Sequence, residues 1–148
     1  VPEQMILRDP VHGLVAFEGD DERVVMALLG TRELQRLRRV RQLGLTSLVF
    51  PGAEHSRFSH AVGSAHVMVR LRAHLRSRQD VLPLDERLDD ESARDALAAA
   101  LLHDLGHGPF SHLFEDVVPE CRAHEAWTMQ VVRDPGLPIA EFGLWLCP

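Results

Sequence analysis

Apolar and polar positions alternate in blocks along the chain, and the blocks change period from one segment to the next. Residues 5–18, MILRDPVHGLVAFE, hold two short apolar runs around Asp9-Pro10 and His12-Gly13, which are turn residues. This pattern predicts a short β-hairpin or extended entry segment. Asp20 or Asp21 is placed to cap a helix that runs through Leu29 and stops at Gly30. Thr31 opens the next predicted helix, TRELQRLRRVRQL, which Gly44 ends. Residues 45–55 contain Pro51-Gly52 and read as a loop. Ser56 starts a long helix to about Gln79. On it His66, Arg70, His74 and Arg78 recur every fourth residue as a polar stripe, while His60, Ser64, Val67, Leu71 and Leu75 form a face expected to pack inward. A polar, proline-containing connection spans Asp80 to Asp90. The following helix, from about Glu91 to Asp104, is apolar all round from Ala96 to Leu102 and so belongs at the centre of the core. Gly106, Gly108 and Pro109 break it, and helical pieces follow over 111–117 and 122–133. The fold class is mainly α.

A length of 148 residues fits one domain with a sizeable core, and 45% hydrophobic with 26% charged residues is an ordinary globular balance. The longest apolar run, Leu97 to Leu102, is far too short to cross a bilayer, and the start, Val1-Pro2-Glu3, lacks the pattern of a signal peptide. Two cysteines, Cys121 and Cys147, without C-x-x-C spacing, argue against a disulfide framework or a zinc knuckle, and a cytoplasmic protein with reduced thiols is expected. A net charge of -6 argues against nucleic-acid binding by the whole surface. All 16 basic residues are Arg, so the placement of individual Arg residues carries more information than their number.

The central helix poses a physical problem. It is apolar for two turns and then ends in His103-Asp104, where the negative end of the helix dipole disfavours a carboxylate and a buried charge needs a partner. A divalent cation resolves both difficulties, with His60 as a third ligand from the long helix. Mixed imidazole and carboxylate ligation suits Mn, Fe, Zn, Ni or Co. The competing reading is a His-Asp pair that bonds to an Arg and merely closes a helix. Against it, HDLGHGPFSHLFE gathers three His, an Asp and a Glu into 13 residues around two Gly and a Pro, a density of titratable groups that marks a site.

The segment HDLGHGPFSH resembles the signature of the HD superfamily, in particular its deoxynucleoside triphosphate triphosphohydrolase branch. DPVHG at 9–13, QRLRRVRQLG at 35–44, FPGAEHSRFSHAVG at 50–63 and AHE at 123–125 agree with it in order. The resemblance covers about residues 5–125 and implies an HD-domain helical bundle with a short N-terminal hairpin over residues 1–148. Residues 126–148 lie outside it. It makes His60, His103 and Asp104 metal ligands. Family members add an Asp from a helix far downstream, so a chain truncated at the C-terminus, with a three-ligand site, is the expectation. His107 and His112 match histidines that contact the phosphate next to the sugar, and either would protonate the leaving oxygen. His124 matches a further catalytic His, and Glu115 stands where an acid, usually Asp, orients it. Arg57 matches a phosphate-binding Arg, and Gln42 and Leu43 match positions beside the deoxyribose. Gln35 and Arg38 match an allosteric nucleotide site, but its guanine-reading Asp corresponds to Gly30. Arg32, Arg36 and Arg39 read as a solvated helix face, and His12 and His55 as turn residues.

The function these matches imply is hydrolysis of a dNTP to deoxynucleoside and triphosphate, with a divalent transition metal in the site and Mg accompanying the nucleotide. A homo-oligomer is the expected assembly. Two alternatives stand beside it: a non-catalytic module that binds nucleotide or a partner, and a phosphohydrolase acting on another nucleotide or phosphomonoester. In the non-catalytic reading the tail EFGLWLCP, with Trp145 exposed or docked, covers core that a missing half would bury; plain core packing of the last helix is the competing reading.

Overall fold

A computed structural model describes residues 3–118 and 120–142. The expected packing of Trp145 lies outside these residues. Strands β1 (Gln4–Asp9) and β2 (Gly13–Glu18) pair antiparallel, with Met5 opposite Phe17 and Asp9 opposite Gly13. The turn is shaped by Asp9, whose Oδ1 accepts from the amides of Val11 at 2.8 Å and His12 at 2.9 Å, and by Gly13 at φ 75°. Strand alternation turns Val15 and Phe17 into the core.

A 3-10 turn over Asp20–Glu22 leads into α1 (Arg23–Leu29). Neither Asp20 nor Asp21 caps it. Glu22 instead accepts from the Glu18 amide at 2.9 Å and pairs with Arg72 at 2.9 Å. The single helix expected from Thr31 to Gly44 is shorter than the pattern implies. Helix α2 (Arg32–Gln35), capped by the Thr31 hydroxyl, tightens into a 3-10 turn over Arg36–Arg39, and Val40 is extended. The reason is tertiary. Arg41 bridges to Ser56, the Gln42 amide donates to the His55 carbonyl at 3.0 Å, and the Arg57 amide donates to the Val40 carbonyl at 2.8 Å. Backbone pairing with the segment that feeds the next helix replaces two helical turns.

Helix α3 (Arg57–Ser77) starts at Ser56, whose hydroxyl accepts from the Ser59 amide, and α4 (Asp90–Leu102) starts at Asp89, whose carboxylate accepts from the Ser92 amide at 2.8 Å. The two helices pack together. Leu97, Ala98, Leu101 and Leu102 of α4 sit at the centre of the core, among Val25, Leu28, Leu34, Leu37, Phe58, Ala61 and Ala65. The face of α3 that packs inward is therefore Phe58, Ala61, Val62 and Ala65, not the one expected. Val67 and Leu71 are 49% and 46% exposed. With Ser64, Met68 and His60 they border an open groove of about 760 Å³ beside the hairpin turn. Both stripes are apolar, and small Ala61 and Ala65 let α4 approach closely. Arg70, His74 and Arg78 are exposed as expected, and His66 lies half-buried against His12, ring centroids 5.3 Å apart. Helices α5 (His112–Val117) and α6 (His124–Arg133) complete the described fold, followed by a 3-10 turn over Pro138–Phe142. Among the described residues no helix is long and apolar enough to cross a membrane.

Candidate metal centre

Three elements converge at one end of the core. The first turn of α3 supplies Arg57 and His60, the end of α4 supplies His103 and Asp104, and the turn after α4 supplies His107. His103 caps α4, and its Nδ1 lies 3.0 Å from the Ala100 carbonyl. That contact assigns the ring proton to Nδ1 and leaves Nε2 free as an acceptor or ligand. His103 Nε2 lies 3.1 Å from His60 Nε2, and each is 3.5 Å from Asp104 Oδ2. Ligands held at roughly 2.1 Å around a tetrahedral ion are about 3.4 Å apart. The three donor atoms thus have the mutual spacing that one divalent ion requires, and their chemistry fits it.

Asp104 is 5% exposed and Arg57 is 1% exposed, and the two form an ion pair through Arg57 Nη1 and Asp104 Oδ2. Burial by itself raises the Asp104 pKa. Contact with His107 and the charges of His103 and Arg57 outweigh it and hold the carboxyl well below the usual carboxylate range. Its second oxygen, Oδ1, faces another group of residues. His107 Nε2 is 3.5 Å away and His124 Nε2 is 4.0 Å away.

His107 is fully buried and stacks on His124 with ring centroids 3.7 Å apart, and His112 meets both rings edge-on. Glu115 Oε1 lies 3.1 Å from His124 Nδ1, 3.2 Å from His107 Nδ1 and 3.9 Å from His112 Nδ1. The longer Glu side chain therefore reaches the imidazole it was expected to face. The remaining candidates are spread more widely. Gln42 has a buried Oε1 without a hydrogen-bond partner, and Leu43 is half-exposed. Gln35 donates to the Leu29 carbonyl at 2.6 Å and accepts from Arg38 Nε at 2.7 Å, while Arg38 stacks over Phe58 at 3.7 Å. Among the described residues no hydrogen bond or ion pair joins Gln35 or Arg38 to the metal donors. His12 lies over Gly63, where a Cβ would come within 3.1 Å of its Nε2.

Arg36 departs from the solvated face expected for it. Its Nη1 donates to the His107 carbonyl at 2.9 Å and its Nη2 donates to the Leu105 carbonyl, across 71 and 69 residues of sequence. Burial presses its guanidinium pKa down. Arg36 thus straps the turn that carries His107 onto the 3-10 turn that follows α2, and helical spacing gave no sign of it. Removing both bonds in Arg36→Ala is expected to cost about 1–3 kcal/mol and to shift His107, checked by chemical denaturation and by imidazole NMR.

Burial holds His60, His66 and His107 below the ordinary histidine value of 6.5. In each case the unfolded chain takes up the proton first, so the stability these rings contribute is complete above pH 6.5 and is lost as pH falls through their lower folded values. The depressed Asp104 adds a separate loss below about pH 4. In chelator, the urea midpoint is expected to fall between pH 7 and pH 5, and a flat profile there would contradict the burial of these rings.

The HD domain family matches residues 57–144. The protein YwfO of Bacillus subtilis (strain 168) is 48% identical over 115 residues, 78% of this chain and 24% of its own length. The deoxynucleoside triphosphate triphosphohydrolase SAMHD1 of Bos taurus is 39% identical over 127 residues, 83% of this chain and 20% of its own. A crystal structure of a phosphohydrolase from Bacteroides thetaiotaomicron VPI-5482 superimposes with a TM-score of 0.74 at 35% identity, over 88% of this chain and 30% of that one. The chain spans about a fifth to a quarter of the length of these curated relatives.

Proposed function

The chain belongs to the HD-domain family, and from that premise we propose that it carries the metal centre of a phosphohydrolase acting on deoxynucleoside triphosphates. The observation that carries this reading is the two-sided use of Asp104. One oxygen sits with His60 and His103 at ligand spacing, and the other faces His107 and His124. His60, His103 and Asp104 would hold a divalent transition metal, Mn, Fe, Zn, Ni or Co. The chemistry such an ion supplies when bound is acidification of water and polarisation of a phosphoryl oxygen.

In the proposed reaction a water oxygen bonds to the α-phosphorus and gives up a proton to solvent, the bond from phosphorus to O5′ breaks, and O5′ takes a proton. His112, the most exposed imidazole of the cluster, or His107 behind it, donates that proton. Glu115 holds the His124 ring by its Nδ1 side, and Nε2 lies 3.4 Å from Glu125 Oε1 and 4.0 Å from Asp104 Oδ1, on the side of the reacting groups. Arg57 uses Nε and Nη1 within the protein, and its Nη2 would be the group left for phosphate. Gln42 and Leu43 would flank the sugar, and Gln35 and Arg38 would belong to a separate nucleotide site, with Mg accompanying the nucleotides. The packing of Val15 and Phe17 with Leu97 and Leu101 supports one domain over the described residues.

The test is incubation of the Mn-loaded chain with each dNTP, with His103→Ala and Asp104→Ala as controls. Triphosphate release and one tightly held metal per chain are expected, and both should vanish in the controls. Absence of both in the unaltered chain would sink the reading. Nucleotide binding without turnover would favour a binding module, and release from ribonucleotides or phosphomonoesters alone would move the substrate class.

A further inference from the structure

Ser111 sits between the metal centre and the segment that closes over it, in a backbone conformation that serine rarely adopts. Its φ is 58° with ψ -135°, and the residue before it, Phe110, has φ 63°. Two successive non-glycine residues with positive φ are costly, and such strain persists where the surroundings hold it in place. Ser111 is 5% exposed, and its hydroxyl is fully used. It accepts from Arg57 Nε at 3.1 Å and shares its proton between the carbonyls of Gln42 at 2.8 Å and Arg41 at 2.9 Å. The segment it grips runs close against the turn, since a Cβ on Gly44 would meet the Phe110 carbonyl at 3.1 Å.

Arg57 has two anchors with different tasks. Asp104 holds Nη1 and is itself a proposed metal ligand, whereas Ser111 holds Nε and belongs to no ligand set. Were Asp104 Oδ2 to ligate an ion, the Ser111 hydroxyl would be the contact that still fixes the plane of the guanidinium. The same hydroxyl ties residues 41–42 to that plane.

We infer that Ser111 is a positioning residue that fixes the Arg57 guanidinium relative to the Gln42–Leu43 segment, so that phosphate affinity and sugar discrimination both depend on one hydroxyl. The inference rests on the reading of the site as a dNTP phosphohydrolase centre. The strain supplies a way to separate this role from a structural one. Glycine adopts φ 58°, ψ -135° without the cost that a Cβ brings, so Ser111→Gly relieves strain while deleting the hydroxyl. Ser111→Ala deletes the hydroxyl and keeps the strain.

The experiment measures, on the Mn-loaded chain, the melting temperature, the metal content, and the affinities for inorganic tripolyphosphate, dGTP and GTP. In both variants tripolyphosphate and dGTP are expected to bind roughly tenfold more weakly, the loss of one hydrogen bond to a charged group, with the preference for dGTP over GTP narrowed. Metal content should be unchanged, and Ser111→Gly should melt higher than Ser111→Ala, since both lose the hydroxyl and only the glycine variant sheds the strain, while the loss of affinity is the same in both. Loss of affinity that tracks a fall in melting temperature in both variants would assign Ser111 a structural role and overturn the inference. Unchanged affinity and unchanged preference in Ser111→Gly would overturn it as well. If the unaltered chain binds metal but no tripolyphosphate or nucleotide, the functional reading itself fails, and the inference falls with it.

Discussion

Asp104→Asn is expected to abolish tight metal binding and to destabilise the metal-free protein by about 3–5 kcal/mol, because it removes one partner of a buried ion pair and leaves Arg57 charged without a counter-charge. For a chain of this length that is a fall in melting temperature of roughly 10 °C or more. The two effects have separate causes and separate readouts. Loss of the ligand appears as loss of Mn stoichiometry, and loss of the counter-charge appears in thermal unfolding with chelator present. A double variant, Asp104→Leu with Arg57→Met, removes both charges and fills similar volume. It should recover most of the stability that Asp104→Asn loses, while holding no metal. A single variant as stable as the unaltered protein would mean that the pair contributes nothing to the fold.

Gly106→Ala is expected to be nearly as damaging, through another part of the centre. A Cβ at this position would lie 2.0 Å from the His124 carbonyl, 2.5 Å from the Thr128 amide nitrogen and 2.8 Å from Trp127 Cβ. Two of these are backbone atoms of α6, so no side chain can rotate away and the helix itself must move. The Gly106 amide also donates to Thr128 Oγ1 at 2.8 Å, which fixes the approach. Displacing α6 pulls His124 from Glu115, while His60, His103 and Asp104 remain on α3 and at the end of α4. Activity should fall by roughly 10²-fold or more, as for a misplaced catalytic group, and stability by about 1–3 kcal/mol, with metal content retained. Metal analysis, triphosphate release and thermal unfolding on one preparation decide it. An active Gly106→Ala would exclude α6 from the reaction.

The His103-Asp104 end of the candidate donor set was legible in sequence because its signal is local, whereas His60 joins it from 43 residues away. A helix that is apolar for two turns and ends in His103-Asp104 states its difficulty within a few residues, and the caps Ser56 and Asp89 announce the two central helices in the same way. What local pattern could not show is what distant segments do. The stretch 31–43 is written in good helix formers, yet pairing of residues 40–42 with 55–57 ends the helix at Arg39. On α3 two stripes are apolar, and the one holding Ala61 and Ala65 wins only because α4 can come close there. Arg36 and Ser111 act through partners 54 to 71 residues away, and no periodicity registers a contact of that kind.

The pairing of Arg57 with Asp104 also sets an order of events. In small metal-nucleated domains the ion arrives during folding and the chain collapses around it. Here the carboxylate receives its counter-charge from the chain, so the core can close without an ion. A metal bound by the candidate donors would then be strippable and replaceable without unfolding. Its identity would follow the supply around the finished protein, within the range that imidazole and carboxylate donors accept.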